Sequence, residues 1–173
     1  MPLPVRAAVV TLATAGAALA PFSTPALARE HTKTIIVEGP SNVYDAAYSG
    51  VRTSIVVTEG KNRTDIRLRV SGLPAAAAGK TFGAHVHRKK CGPQAADSGP
   101  HAQNPKARPG APLREKEIWL DIKAGKKGEA ESRATARWRA AKGAAGSIVI
   151  HAAPTNAKTG DAGARLVCTT VPF

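Results

Sequence analysis

Aromatic residues make up only 4% of this 173-residue chain, too few to build platforms on which nucleic-acid bases could stack. Cysteine is scarcer still, with Cys91 and Cys168 the whole complement. Neither stands in a CxxC or CxH spacing, which argues against the common thiolate metal motifs. A disulfide is the leading reading of the pair, with two distant thiolate ligands as the alternative. Such a bridge would close a loop of roughly eighty residues, a length for which chain entropy allows roughly 4–5 kcal/mol. Acidic residues are also few, 12 against 25 Lys and Arg, for a formal net charge of +13. A charge this positive favours attraction to anionic surfaces or small anionic substrates. The basic residues are scattered, however, and nothing specific points to nucleic acid.

No apolar run beyond residue 28 approaches the roughly 20 residues that a membrane-spanning helix needs. Before it, Arg6 precedes an apolar stretch from Ala7 to Ala20, and Ala26-Leu27-Ala28 offers small residues for cleavage. This is the layout of a signal peptide over residues 1–28. A secreted protein, extracellular or periplasmic, is therefore expected, with residues 29–173 as one domain around one core. Only Arg6 is lost among charged side chains, which leaves +12. Export also suits the disulfide, since such compartments permit oxidation.

The residues that are present favour strands. Ser54 to Glu59 is a β-branched run, and Thr64 to Val70 alternates Ile66, Leu68 and Val70 with Arg67 and Arg69. Gly60 and Asn62, both tolerant of positive φ, suggest a hairpin between them. Further strands are expected at Lys33–Val37, Phe82–His87, Ile118–Ile122, Ala130–Trp138, Ser147–His151 and Arg165–Thr170. The Ala-rich stretches at 75–78 and 140–145 are too short to argue for helices. Long segments interrupt the strands. Arg88 to Lys116 holds five of the 13 prolines, and Ala152 to Ala164 is small and polar. Loops of this length in a compact domain tend to carry function, and each begins beside a histidine.

Five histidines are present. His85 and His87 flank Val86, so in a strand both imidazoles point to one face. His101 sits in the proline-rich loop, and His151 ends the run Ile148-Val149-Ile150. Four neutral imidazoles suit copper, nickel or zinc, and a tetragonal all-nitrogen set favours Cu(II). His31, near the expected new N-terminus, reads as a solvated side chain.

Gly83-Ala84-His85-Val86-His87, Gly99-Pro100-His101 with Asn104-Pro105, and Ile148-Val149-Ile150-His151 resemble the copper segments of copper/zinc superoxide dismutases. Thr159 to Cys168, through Arg165, is similar to that family's closing signature. The segments occur in family order over most of residues 29–173. The resemblance implies an all-β Greek-key barrel or sandwich of about eight antiparallel strands with two long functional loops. It implies Cys91–Cys168 as an intrachain disulfide, and His85, His87, His101 and His151 as ligands of one copper ion per chain. Arg165 would guide superoxide, and His101 would take the bridging position whose histidine carries a proton.

The chain departs from the family at its zinc site. No histidine lies between His101 and Ile118, so Asp121 is left either as a vestigial zinc residue or as one outward carboxylate of a strand Trp119-Leu120-Asp121, and one histidine with one carboxylate does not make a structural zinc site. Thr155 stands where the family places an acid between its two metals. The expectation is therefore a copper-only superoxide dismutase without zinc, and a monomer. The competing expectation is a non-catalytic copper-binding or copper-buffering protein of the same fold. A basic protein attracted to an anionic surface, with any metal incidental, is a third.

Overall fold

The computed structural model describes residues 32–140 and 143–173. The expected signal peptide and His31 lie outside the described residues.

Ten strands follow in chain order: β1 (Lys33–Gly39), β2 (Asn42–Val43), β3 (Arg52–Glu59), β4 (Thr64–Ser71), β5 (Thr81–Phe82), β6 (Ala84–His87), β7 (Ile122–Lys123), β8 (Ala130–Ala136), β9 (Ser147–His151) and β10 (Arg165–Thr170). They form two four-stranded antiparallel sheets, β1-β3-β4-β8 and β2-β10-β9-β6, with β5 and β7 as a short ribbon. β4 pairs with β8 and not with its successor, so the chain crosses between sheets as in a Greek key. This is the all-β sandwich that the sequence leads one to expect.

Alternation builds the first sheet. Ile55 and Val57 of β3, and Ile66, Leu68 and Val70 of β4, face the core and are at most 3% exposed. Their neighbours face solvent, where Glu131 of β8 accepts hydrogen bonds from Arg67, Arg69 and Arg133 at 2.8–3.1 Å. The second sheet obeys a different rule: β6 and β9 are buried at every position. Ala84, Val86, Ile148 and Ile150 enter the hydrophobic core. The alternate residues His85, His87, Val149 and His151 are buried on the other face, under the long loops.

Three local expectations are corrected. The β3–β4 turn closes through the Gly60 N–H donating to Arg63 O at 2.9 Å, and neither Gly60 nor Asn62 has positive φ; the four-residue loop makes the reversal without it. The expected strand Phe82–His87 is broken at Gly83, with Phe82 pairing to β7 and Ala84 to β9. A Cβ at Gly83 would lie 2.5 Å from Ala162 Cβ and 2.8 Å from Thr155 Oγ1, so only glycine lets the second loop pack there. The segment 118–122 is extended but joins its neighbours mostly by single bridges, and regular pairing begins only at Ile122. One short helix, α1 (Leu113–Lys116), ends the proline-rich segment.

The base of that segment is fixed to the second sheet. Cys91 and Cys168 are bonded, with Cα atoms 5.8 Å apart. Beside them Ser147 Oγ donates to Lys89 O at 2.7 Å and Cys91 N–H donates to Thr170 Oγ1 at 3.1 Å.

Candidate metal centre

His85 and His87 stand on β6, His151 ends β9, and His101 is brought in by a bridge between the loop and His87. Strand period two turns His85 and His87 to the same side, and the β6–β9 pairing brings His151 beside them. One ligand atom from each of the four lies within 4.8 Å of the others. The four histidines named from the sequence are thus brought together as one cluster.

Hydrogen bonding fixes which nitrogen of each ring is bare. His87 Nδ1 lies 2.9 Å from Gly99 O and His151 Nδ1 lies 3.1 Å from Gly163 O. A carbonyl only accepts, so both Nδ1 atoms carry the proton and both Nε2 atoms present lone pairs. His101 Nδ1 lies 2.9 Å from Glu117 Oε2, so its Nδ1–H is held by the carboxylate and Nε2 is the atom left for a metal. His85 is reversed. Its Nε2 meets Thr155 Oγ1 at 2.7 Å, and that hydroxyl donates its single proton to Asp121 Oδ1 at 2.6 Å. The hydroxyl must then accept from His85 Nε2–H, so Nδ1 is the bare atom. His85 Nδ1 is buried and has no hydrogen-bond partner.

This arrangement fits a cation. The Nε2 atoms of His87 and His151 are 3.2 Å apart, yet neither has a proton to give the other. Burial, the largest cause, pushes the His85 pKa down to about 2 and that of His87 to about 3, and lowers that of His151. Neutral imidazoles whose outer N–H groups are anchored are the usual form of a histidine metal site. The donor set, all imidazole nitrogen, suits copper by its chemistry.

Glu117 is the residue that sequence reasoning missed. It is 7% exposed. Besides His101, it accepts from Gln103 Nε2 and from Trp119 Nε1, each at 2.8 Å. Burial acts to raise its pKa, but the three hydrogen bonds outweigh that and hold it below the usual carboxylate range. A signal existed in the alternation: Glu117, Trp119 and Asp121 share one face, while Ile118, Leu120 and Ile122 enter the core. Beginning the strand at Ile118 cut Glu117 off from its pattern. Asp121 lies on the His85 side of the cluster. There it accepts the Thr155 N–H at 3.1 Å as well as the hydroxyl.

Arg165 begins β10 and lines an open cavity of about 730 Å³ together with His101, His151 and Gly163. Its Nη1 donates to Ala95 O at 2.6 Å and Ser98 Oγ at 2.9 Å, and its Nη2 to Gly99 O at 2.7 Å. Gly99 O therefore receives both Arg165 and His87. Three of five donor hydrogens are committed to the loop, which leaves Nε–H and one Nη2–H.

The family model of copper/zinc superoxide dismutase (SODC) matches residues 51–171, well over half of the chain. The chain belongs to the copper/zinc superoxide dismutase family. That family binds copper, and residues 51–171 contain all four clustered histidines, Arg165 and both cysteines. No curated protein sequence matches the chain. Among solved structures it is similar to Candida albicans superoxide dismutase 5 in its Cu(II) form, at 20% identity and a TM-score of 0.47. That match covers 83% of this chain and 92% of the other. Two variants of the same Candida albicans protein, with a glutamate changed to alanine or glutamine, match at 20% and 19% identity. Both have TM-scores of 0.46 and cover 83% of this chain, with 90% and 92% of the others.

Proposed function

We propose that this chain is a secreted superoxide dismutase that works with copper alone, one ion per chain, and converts two superoxide anions and two protons to dioxygen and hydrogen peroxide. The observation that carries the copper-only reading is Glu117. In a two-metal site the bridging histidine gives one nitrogen to each ion. Here the outer nitrogen of His101 is already a donor to a buried carboxylate, which supplies a negative charge where a second cation would otherwise bind. All other histidines among the described residues belong to the same cluster. With His101 a terminal ligand, Asp121 and Thr155 are free to hold His85.

His85 Nδ1 and the Nε2 atoms of His87, His101 and His151 would hold the ion. Copper, when bound there, supplies one-electron redox chemistry, accepting an electron from one superoxide and returning it to the next. The protein's own work is electrostatic and positional. Arg165, with two donor hydrogens to spare, gives an anion a fixed positive partner beside His101 and His151. The basic surface raises the encounter rate of an anion, an advantage that salt weakens. His101, held by Glu117 through Nδ1, would offer Nε2 either as a ligand or, once that nitrogen is released from the ion, as the atom that hands a proton to reduced oxygen. Export rests on residues 1–28, with residues 29–173 as the working domain. Among the described residues no helix is long and apolar enough to cross a membrane.

The bracing of the loop by Arg165 would serve a copper-storing protein equally well, so metal content and rate must be measured together. Loading with copper and zinc is expected to give about one copper and little zinc per chain, with superoxide consumed well above the apo rate. Stoichiometric zinc would remove the copper-only reading. One tightly held copper without added rate would leave the non-catalytic reading in its place.

A further inference from the structure

The positive charge is not spread evenly over the described surface. Two adjoining cavities, about 690 and 470 Å³, share Asn104, Arg137 and Trp138 and form one trough along the end of β8. Six cations line it: Lys61, Lys106, Arg114, Arg133, Arg137 and Arg139. The exposed acid among them is Glu115, which faces Arg108 at 3.9 Å. The other, Glu117, is buried and committed to His101, Gln103 and Trp119. Arg139 and Arg133 also reach Glu59 and Glu131, each at 3.1 Å. Among the described residues Arg114 and Arg137 have no carboxylate within 4.0 Å. By contrast, the cavity beside β3 and β8 sets Arg52 and Arg69 against Glu38, Glu129 and Glu131.

The aromatic groups in the trough decide the class of ligand. Trp119 and Trp138 are only 8% and 7% exposed, and the Arg114 guanidinium lies over the Trp119 ring at 5.2 Å. Neither indole offers a face on which a base could stack, so recognition rests on charge and on guanidinium forks. Such forks match oxyanions of carboxylate or sulfate geometry and bind them through paired N–H groups.

We propose that this trough binds an extended acidic polysaccharide, a base-free polymer carrying repeated carboxylate or sulfate groups. Asn104 and Pro105 also line the histidine cleft, so a bound polymer runs up to the mouth of that cleft. The site needs neither metal nor catalysis, and its test is independent of both.

The test uses the whole exported protein with heparin as the sulfated probe, polygalacturonate as the carboxylated one and single-stranded DNA as the base-bearing polyanion. Binding to one or both polysaccharides is expected at roughly 0.1 M salt, weakening as salt rises because bound cations displace counterions. A triple variant, Lys106→Gln with Arg133→Gln and Arg137→Gln, should lose about tenfold or more in affinity and show a shallower salt dependence. A matched control, Lys80→Gln with Lys123→Gln and Lys126→Gln near the opposite end of β8, should lose less than about threefold. Both variants must keep the wild-type thermal midpoint, and Arg137→Lys should restore part of the lost binding if a cation at that place is what matters. Equal loss in the two triple variants would reduce the effect to net charge and overturn the trough. Tighter binding of DNA than of either polysaccharide would overturn the choice of ligand, and no polysaccharide binding by the wild-type protein would overturn the proposal outright.

Discussion

In β3 and β4 buried and outward-facing residues alternate, whereas in β6 and β9 every residue is buried. Both patterns come from strands of the same antiparallel sandwich. The difference lies in what covers the outer face. Over the first sheet there is water, and the outer residues include three arginines paired with Glu131. Over the second there are the two long loops, and the outer residues are histidines whose N–H groups are bound by loop carbonyls, a hydroxyl and a carboxylate. A face buried beneath polar loops can keep neutral imidazoles away from water, which a solvent-facing sheet cannot do.

Acid should separate the two faces most strongly. In the unfolded chain His85 and His87 take up protons near pH 6.5, but in the fold their pKa values are near 2 and 3. Between those limits the unfolded state binds more protons, so stability falls as pH falls. Each histidine contributes a slope of about 1.4 kcal/mol per pH unit across that window. The apo protein's thermal midpoint should therefore drop steeply from pH 7 to pH 4.5, and His87→Gln should flatten the slope by about one proton. A flat profile would mean that the cluster is open to water. The next effect belongs to the first sheet. Leu68 is fully buried, and Leu68→Ala should cost about 2–5 kcal/mol of unfolding free energy. Copper affinity measured on the folded fraction should barely change, because Leu68 belongs to the hydrophobic core and the four histidines lie outside it. A parallel loss of copper affinity would show that the sheets do not divide stability and binding as described.

The same contrast explains what could be read before folding. β3 and β4 were legible because period-two alternation against solvent leaves an unambiguous trace. His85, His87 and His151 were legible because histidines within apolar strands are conspicuous. The break at Gly83 was not, since it depends on Thr155 and Ala162 arriving from about seventy to eighty residues further along the chain. Thr155 itself looked like the loss of an acid. Its hydroxyl gains meaning only when Asp121 is found beside it to take the proton. Gln103 carried no signal of its own, and only the approach of Glu117 across the bridge Gln103–Glu117 gives its amide a partner.

Glu117 offers a finer division within the second sheet's cover. Glu117→Gln removes the charge and turns one acceptor into a donor, so the bond to His101 loses its ionic partner even where Gln103 turns its amide to meet the new NH2. Losing the group that orients a metal-binding histidine typically costs 10–100-fold in affinity, and a shift toward the upper end is expected in a copper competition titration. The EPR spectrum of the Cu(II) form should change with it. The same substitution at Glu131, which also accepts from three side chains, should leave copper affinity untouched because its partners face water. Equal copper affinities for the wild-type and Glu117→Gln proteins would reduce Glu117 to a brace for Trp119.

The smallest effect is expected at Thr155. Thr155→Val keeps the shape but removes the hydroxyl, leaving His85 Nε2–H with Asp121 Oδ1 at 4.0 Å, beyond hydrogen-bonding range. With that bond gone, the ring can place its proton on either nitrogen, and only one tautomer leaves Nδ1 bare for the metal. The loss should sit near the lower end of the range for such outer partners, about tenfold, because the strand still fixes the ring's position. Thr155→Ser keeps the hydroxyl and should restore wild-type affinity and the wild-type Cu(II) spectrum, whereas a purely steric role would favour valine over serine. The order of the two variants in one copper titration therefore decides whether the loop over β6 sets the proton on His85 or merely covers it.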